Sequence, residues 1–198
     1  MKSHHYANPI TRRVRAGFTL IELLIVIVII AILASVAFPV TAMVMDAARN
    51  AEAKNEVKNI ANAISMYQLE YGKLPLPPGS SGDIELSTDN GNLIAVLSGI
   101  NVDDLNPREK TFYEAKRAKG VEQQMPTGGM YGEDEQIYLA DPWGGPYYVM
   151  IDADYDNSLR GIPGMEGEDL RKSFAAWSEG KPTSDGNVAP VRKWHTSW

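Results

Sequence analysis

Three carboxylates at alternate positions are the residues of this sequence whose spacing most directly suggests chemistry. Asp152, Asp154 and Asp156 follow the opening rhythm of a calcium-binding EF-hand loop, in which oxygen ligands recur at every second position. The rest of such a loop is missing, because the sixth position holds Asn157 instead of glycine and the twelfth holds Pro163 instead of a bidentate glutamate. The spacing argues against an EF-hand and leaves two interpretations open, a looser calcium site or a solvated turn.

The residue types that most often carry catalysis are scarce. The chain has no cysteine and three histidines, of which His4 and His5 lie near the N-terminus and His195 near the C-terminus. The chain therefore has too few of the residues that a histidine-based triad or a zinc site requires. The sequence also lacks a glycine-rich phosphate-binding loop. We predict that the protein is not an enzyme.

Charge divides the sequence into two unequal parts. Residues 1–17 carry a net charge of +4 and no acidic residue, from Lys2, Arg12, Arg13 and Arg15. The whole chain is formally −6, so the remainder is −10, which argues against nucleic-acid binding because no useful basic patch is left. This asymmetry is typical of a chain that crosses a membrane with its basic end in the cytoplasm.

An uncharged run of 23 residues, Leu23 to Met45, follows the basic start. About 20 apolar residues cross a bilayer as a helix. A secretory signal has its small-residue cleavage site behind a shorter apolar stretch, whereas the small residues Ala16-Gly17 precede this run. We therefore predict a leader of residues 1–17 and a transmembrane helix over 18–45. Glu22, near the start of this helix, is either a functional intramembrane carboxylate or an interfacial residue that stays hydrated.

The helical pattern continues beyond the apolar run. Residues 46–73 are predicted to form an amphipathic helix with one face packed on a folded domain. The apolar stripe comprises Val57, Ile60, Ala61, Ile64, Tyr67 and Tyr71. Pro39 is expected to weaken or kink the apolar half, and Gly72 with the proline-rich stretch 74–78 is expected to end the helix.

Residues 74–198 are predicted to form a small α+β domain. A short helix is expected at 92–97, and another is expected to start at Asn106-Pro107, where proline would follow an asparagine cap. The polar stretch 116–135 contains two adjacent glycines and is predicted to be an exposed loop. Strands are predicted at 147–151 and 174–178. The expected fold class is α+β, with a long N-terminal helix packed on a small antiparallel sheet that has long loops.

Residues 15–22, R-A-G-F-T-L-I-E, resemble the prepilin motif of type IV pilins and type II secretion pseudopilins. The resemblance implies that a prepilin peptidase cuts behind Gly17 and that Phe18 becomes the methylated N-terminus. It also implies that Glu22 meets the free amine of a neighbouring subunit's Phe18 in a filament. Glu22 would then check register, because an unpaired buried charge is strongly disfavoured. The leader of 17 residues is longer than the shortest leaders of the family.

Two further segments resemble the major pseudopilins of type II secretion. They are D-P-W-G-G-P-Y at 141–147 and A-W-S-E-G at 176–180, the latter followed by Asp185-Gly186. In that family the loop that here runs from Trp177 to Asp185 binds calcium, and Asp185 matches one ligand position. Residues 187–198 lack the acidic residues that the family uses further on. The candidate calcium ligands are Asp152, Asp154, Asp156 and Asp185.

These patterns predict a structural subunit of a type II secretion pseudopilus. We expect a single inner-membrane span, a periplasmic C-terminal domain, and incorporation into a periplasmic filament. The expected partners are copies of the chain itself, minor pseudopilins, the prepilin peptidase, the inner-membrane assembly platform and membrane lipid. Two alternatives stay open: a fibre-forming or minor type IV pilin, and a single-pass membrane protein whose outer domain binds a ligand or calcium without polymerising.

Overall fold

A computed structural model of the protein describes residues 18–90, 92–121, 125–188, 190 and 194–198, with the side chains of 36–40 outside that description. Its elements are α1 (Leu20–Tyr71), β1 (Asp83–Ser87), α2 (Asn92–Leu97), β2 (Gly129–Glu133), β3 (Gln136–Ala140), β4 (Tyr147–Asp152), β5 (Phe174–Ser178) and β6 (His195–Thr196). The chain divides into two compact units, Met1–Val44 and Met45–Trp198.

Helix α1 contributes residues to both units and continues through Pro39. It ends where the sequence predicts. Gly72 adopts a left-handed backbone with φ of +67°, and its N–H donates to the carbonyl of Gln68 at 2.8 Å. Glycine tolerates this conformation without a Cβ clash, so it closes the helix at little cost.

The second unit is built around a four-stranded antiparallel sheet in the order β1-β4-β5-β6. Strands β2 and β3 form a separate antiparallel hairpin. In the larger sheet Asp83 lies opposite Asp152, and Tyr148 lies opposite Trp177. The central strand β4 is therefore paired along both edges, and its side chains are buried on both faces.

Side chains of β4 alternate between two apolar clusters, as the two-residue period of a strand requires. One cluster packs β4 and β5 against α1 and contains Val57, Ile60, Ile64, Tyr67, Tyr147, Val149, Ile151 and Ala176. The other lies on the opposite face and contains Met150, Leu159, Ile162, Ala175 and Trp177. The predicted helical stripe is thus the face that packs on the sheet, and the predicted α+β fold is confirmed. Ala61 and Tyr71, at the margins of the stripe, are only half-buried.

Three local predictions for the outer domain are confirmed. Helix α2 spans the predicted residues 92–97, and strands β4 and β5 cover the predicted segments 147–151 and 174–178. Each segment is a compact apolar run bounded by turn residues, so local pattern was sufficient to locate it.

The helix predicted from Asn106 is wrong, because this segment forms a turn. Asn106 is fully buried, and its Nδ2 donates to the carbonyls of Val96 and Lys110, both at 2.8 Å. Its Oδ1 accepts bonds from the Tyr71 hydroxyl and the Lys110 N–H. Glu109 adopts a φ of +49°, which a helix cannot include. The asparagine therefore joins α1, α2 and the turn, and does not cap a helix.

The exposed loop predicted over 116–135 is also wrong, because this stretch contains β2 and an isolated bridge between Arg117 and Met130. Gly129, taken as a loop signal, begins the strand. A Cβ on Gly129 would lie 2.4 Å from the carbonyl oxygen of Lys116. The glycine is present because two backbones approach each other closely at this point.

Candidate functional site

The N-terminal end of α1 is closed by a capping box formed by Thr19 and Glu22. The N–H and the hydroxyl of Thr19 both donate to Oε2 of Glu22 at 2.8 Å, and the N–H of Glu22 donates to Oγ1 of Thr19 at 3.3 Å. This reciprocal pattern pairs backbone donors that every helix start leaves open. The T-x-x-E spacing that signals it is present in the sequence, although the hypotheses for Glu22 concerned only assembly and hydration.

The apolar side chains of the first unit are uncovered. Phe18 is 78% exposed, Leu20 is 89% exposed and Leu33 is 65% exposed. Val26 is the most covered of the large apolar side chains over 18–33, and it still exposes 43%. A continuous apolar surface of this kind calls for an apolar environment or an apolar partner.

Within the described residues, the structure contains no helix that is both long enough and apolar enough to span a membrane. The predicted leader 1–17, with the cut-site residue Gly17, lies outside the described residues, which begin at Phe18.

The segment 141–147 forms a turn organised by the buried carboxylate of Asp141. Its Oδ1 accepts the N–H groups of Trp143 and Gly145 at 2.9 Å, and its Oδ2 accepts the hydroxyl of Ser178 at 2.8 Å. Burial raises the pKa of Asp141, and these hydrogen bonds act in the opposite direction. The carboxylate thus fastens the turn between β3 and β4 to the end of β5.

The structure separates the three carboxylates of the predicted calcium cluster. Asp152 and Asp154 lie with Asp83 in a group whose ligand oxygens are all within 4.8 Å of one another. Asp156 instead forms an ion pair with Arg160 at 2.5 Å. Asp83 was missed because it is distant in sequence and becomes a neighbour only through the pairing of β1 with β4.

The fourth candidate ligand, Asp185, lies elsewhere. Its Oδ1 accepts the hydroxyl of Thr183, and its Oδ2 accepts the amide of Asn187 at 2.6 Å. Bonds from Thr183 and then Asn187 hold the pKa of this carboxyl below its ordinary range. In the described part of the loop from Trp177 to Asp185, no group of three acidic residues comes within reach of a single ion.

Comparison with known proteins identifies relatives over most of the chain and others over about half of it. Residues 12–38 match the prokaryotic N-terminal methylation motif. The chain is 28% identical to type II secretion system core protein G of Pseudomonas aeruginosa, over 92% of this chain and 97% of that protein. It is 26% identical to core protein G of Aeromonas hydrophila, over 79% of this chain and 87% of that protein.

The chain is also similar to pilins. It is 34% identical to a fimbrial protein of Neisseria meningitidis over 116 residues, which cover 52% of this chain and 68% of that protein. No solved structure matched the chain. The methylation motif, the capped apolar helix and these similarities lead to one conclusion: the chain belongs to the family that contains the type IV pilins and the type II secretion pseudopilins.

Proposed function

We propose that the protein is a structural subunit of a type II secretion pseudopilus and polymerises through its N-terminal helix. The observation that carries the proposal is the uncovered apolar surface of residues 18–33, placed directly behind a methylation motif. Similarity to core protein G over nearly the full chain supports the secretion system as its setting. The role is structural and not catalytic, in keeping with the names of the similar proteins.

The apolar segment 18–45 would lie in the inner membrane before assembly and against other subunits afterwards. Lipid and neighbouring helices are both apolar, so one surface can serve in both states. The basic leader would hold the N-terminal end in the cytoplasm and direct residues 46–198 to the periplasm. The prepilin peptidase, minor pseudopilins and the inner-membrane assembly platform are the further partners of this proposal.

A fibre-forming type IV pilin is the second candidate, because the pilin similarity has the higher identity. That similarity covers 52% of the chain, whereas the core protein G similarity covers 92%. The broader coverage favours the secretion subunit, because a similarity over 92% of the chain includes most of the outer domain. Surface fibres on cells with ordinary expression would instead favour the pilin.

Mass spectrometry of the membrane-extracted protein tests the processing step. The mature chain should begin at Phe18 and carry one methyl group on its amine. Gly17→Ile should retain the leader. Ser35-Val36-Ala37 is the small-residue stretch inside the apolar run where an ordinary secretory signal could be cut, and Ala37→Ile should be processed like the wild type. A mature start behind Ala37, or an intact Met1, would contradict the proposal.

Electron microscopy of filaments tests the role of Glu22, and three variants separate its two possible tasks. Glu22→Gln keeps a capping-box side chain but removes the charge. Thr19→Ala removes the hydroxyl half of the capping box and keeps the charge, and Glu22→Ala removes the carboxylate half together with the charge. If the carboxylate pairs with a neighbour's amine, both Glu22 variants should lose filaments and Thr19→Ala should retain them. Filaments from Glu22→Gln but not from Thr19→Ala would mean that Glu22 acts only as a cap.

A further inference from the structure

Two carboxylates face each other across the sheet at one end of the β1–β4 pair. Asp83 and Asp152 are direct partners in the antiparallel register, so their side chains project from the same face. Asp154 follows two residues later, and the three contribute ligand oxygens that lie within 4.8 Å of one another. Like charges directly opposite in a sheet destabilise it, so this arrangement needs a compensating interaction.

The described residues do not supply that compensation. Asp152 is 1% exposed, and its Oδ1 is buried without a hydrogen-bond partner. Oδ1 of Asp83 is also buried and unpartnered. The other oxygens accept backbone N–H groups, that of Asn157 at Asp152 and that of Arg160 at Asp83. A buried carboxylate oxygen without a partner is costly, and two of them meet in this cluster.

Arg160, whose guanidinium attracts Asp83, is already engaged with other carboxylates. The guanidinium of Arg160 forms its ion pairs with Asp156 at 2.5 Å and Asp169 at 3.7 Å. No ion pair in the described part of the chain includes Asp83, Asp152 or Asp154. Three negative groups therefore converge on a point where Arg160 attracts Asp83 only through space and no basic side chain of the described residues forms an ion pair.

We propose that Asp83, Asp152 and Asp154 bind a calcium ion that ties β1 to β4. Calcium takes hard oxygen ligands at roughly 2.3–2.6 Å, so two oxygens that share one ion lie at most about 5 Å apart. The observed limit of 4.8 Å meets this condition for all three pairs. Asp154 is exposed, which leaves water access to the remaining coordination positions. Calcium fits better than magnesium, because three carboxylates on a sheet edge and a loop do not impose a tight octahedron.

The site differs from both calcium sites that the sequence suggests. It includes Asp83, which belongs to another strand, and it includes neither Asp156 nor Asp185. The ion would secure an edge strand to the central strand of the sheet, in a domain that has no disulfide. This binding is independent of whether the protein polymerises.

Thermal unfolding of the detergent-solubilised full chain tests the site, with calcium chloride and with EDTA. Ligand binding to the folded state alone should raise the unfolding midpoint by about 5–11 °C at a hundredfold excess of calcium over Kd. Asp154→Asn should lose this rise, and because Asp154 is exposed the variant should still fold. Asp156→Asn and Asp185→Asn are the matched controls and should keep the rise. Isothermal titration with calcium chloride should give one site in the wild type and in both controls.

The condition without metal provides a second readout. In EDTA, Asp154→Asn should melt at or above the wild-type midpoint, because one of three repelling charges is gone, whereas in calcium it should melt below the wild type. This crossing of the two curves would not result from a purely structural role of Asp154. The proposal is overturned if calcium leaves the wild-type midpoint unchanged, if Asp154→Asn keeps the full rise, or if Asp156→Asn or Asp185→Asn abolishes it.

Discussion

Replacement of Asp141 by alanine and by asparagine would measure what the turn at 141–147 contributes to stability. Alanine removes the acceptor of three hydrogen bonds, from Trp143, Gly145 and Ser178. A stranded buried donor costs ~1–3 kcal/mol. Because Trp143 and Gly145 are only half-buried, the lower end applies, and the three donors together cost about 3 kcal/mol. In a chain of this size that loss lowers the unfolding midpoint by about 6–12 °C.

Asparagine should be tolerated much better at the same position. Its Oδ1 can still accept the two backbone N–H groups, and its Nδ2 can donate to the Ser178 hydroxyl, which rotates to accept. It also removes the charge whose burial raises the pKa of Asp141. We expect Asp141→Asn to melt within about 3 °C of the wild type at neutral pH, a change of ~1 kcal/mol.

The raised pKa of Asp141 also gives a prediction for pH. The folded state favours the protonated acid, so this stabilisation is complete below the ordinary value of 3.8 and is lost as the pH rises through the raised folded value. Asparagine resembles the protonated acid at every pH. The midpoint of Asp141→Asn should therefore rise relative to that of the wild type between about pH 3 and pH 7.

The assay is tryptophan fluorescence during thermal unfolding of the detergent-solubilised full chain, at pH 4 and pH 7. Glu166→Gln, at an exposed acidic position, serves as the control for loss of a surface charge. An asparagine variant as unstable as the alanine variant would refute the acceptor role. A decrease of less than about 2 °C in the unfolding midpoint of Asp141→Ala would refute the expected loss of stability.

Two other substitutions test features that the sequence did not reveal. Gly132→Ala should destabilise by more than ~2 kcal/mol, because φ is +92° and the added Cβ would lie 2.0 Å from the Gln136 carbonyl oxygen. Gly161→Ala is the control, because Gly161 has a similar φ and no atom lies within 4 Å of the added Cβ; it should cost only about 1–2 kcal/mol. Equal unfolding midpoints of Gly132→Ala and Gly161→Ala would contradict the predicted clash at Gly132. Asn106→Ala should cost about 3 kcal/mol, because it strands buried partners on α1 and α2, and a wild-type midpoint in the same assay would show that these bonds contribute little.

The sequence alone was sufficient to predict the elements whose formation depends on residues close together in the chain. The apolar stripe of α1 repeats every three or four positions, and Gly72 marks its end. Strands β4 and β5 are short apolar runs between turn residues. Each signal lies within one element, so its interpretation needs no knowledge of the fold.

The predictions that were wrong concern residues whose partners are distant in sequence. Asn106 resembles a helix cap in the sequence, but its side chain instead accepts a hydrogen bond from the Tyr71 hydroxyl, 35 residues away. Gly129 resembles a loop residue, although it is required where β2 passes close to the backbone of Lys116. The sequence does not indicate Asp83 as a ligand, because Asp83 lies beside Asp152 only after β1 has paired with β4. Tertiary contacts decided these positions, and local pattern does not encode them.

Pairing of β1 with β4 makes folding of the outer domain depend on residues 147–152, which lie far along the chain from β1. Asp83 must find Asp152, and α2 and the β2–β3 hairpin lie between them in sequence. Closure of so long a segment costs chain entropy before any contact compensates for it, which slows folding. Until β4 is synthesised, β1 is an unpaired strand edge and the apolar stripe of α1 has no sheet to cover it, a combination prone to aggregation. A nascent subunit therefore keeps both surfaces uncovered until residues 147–152 have been made.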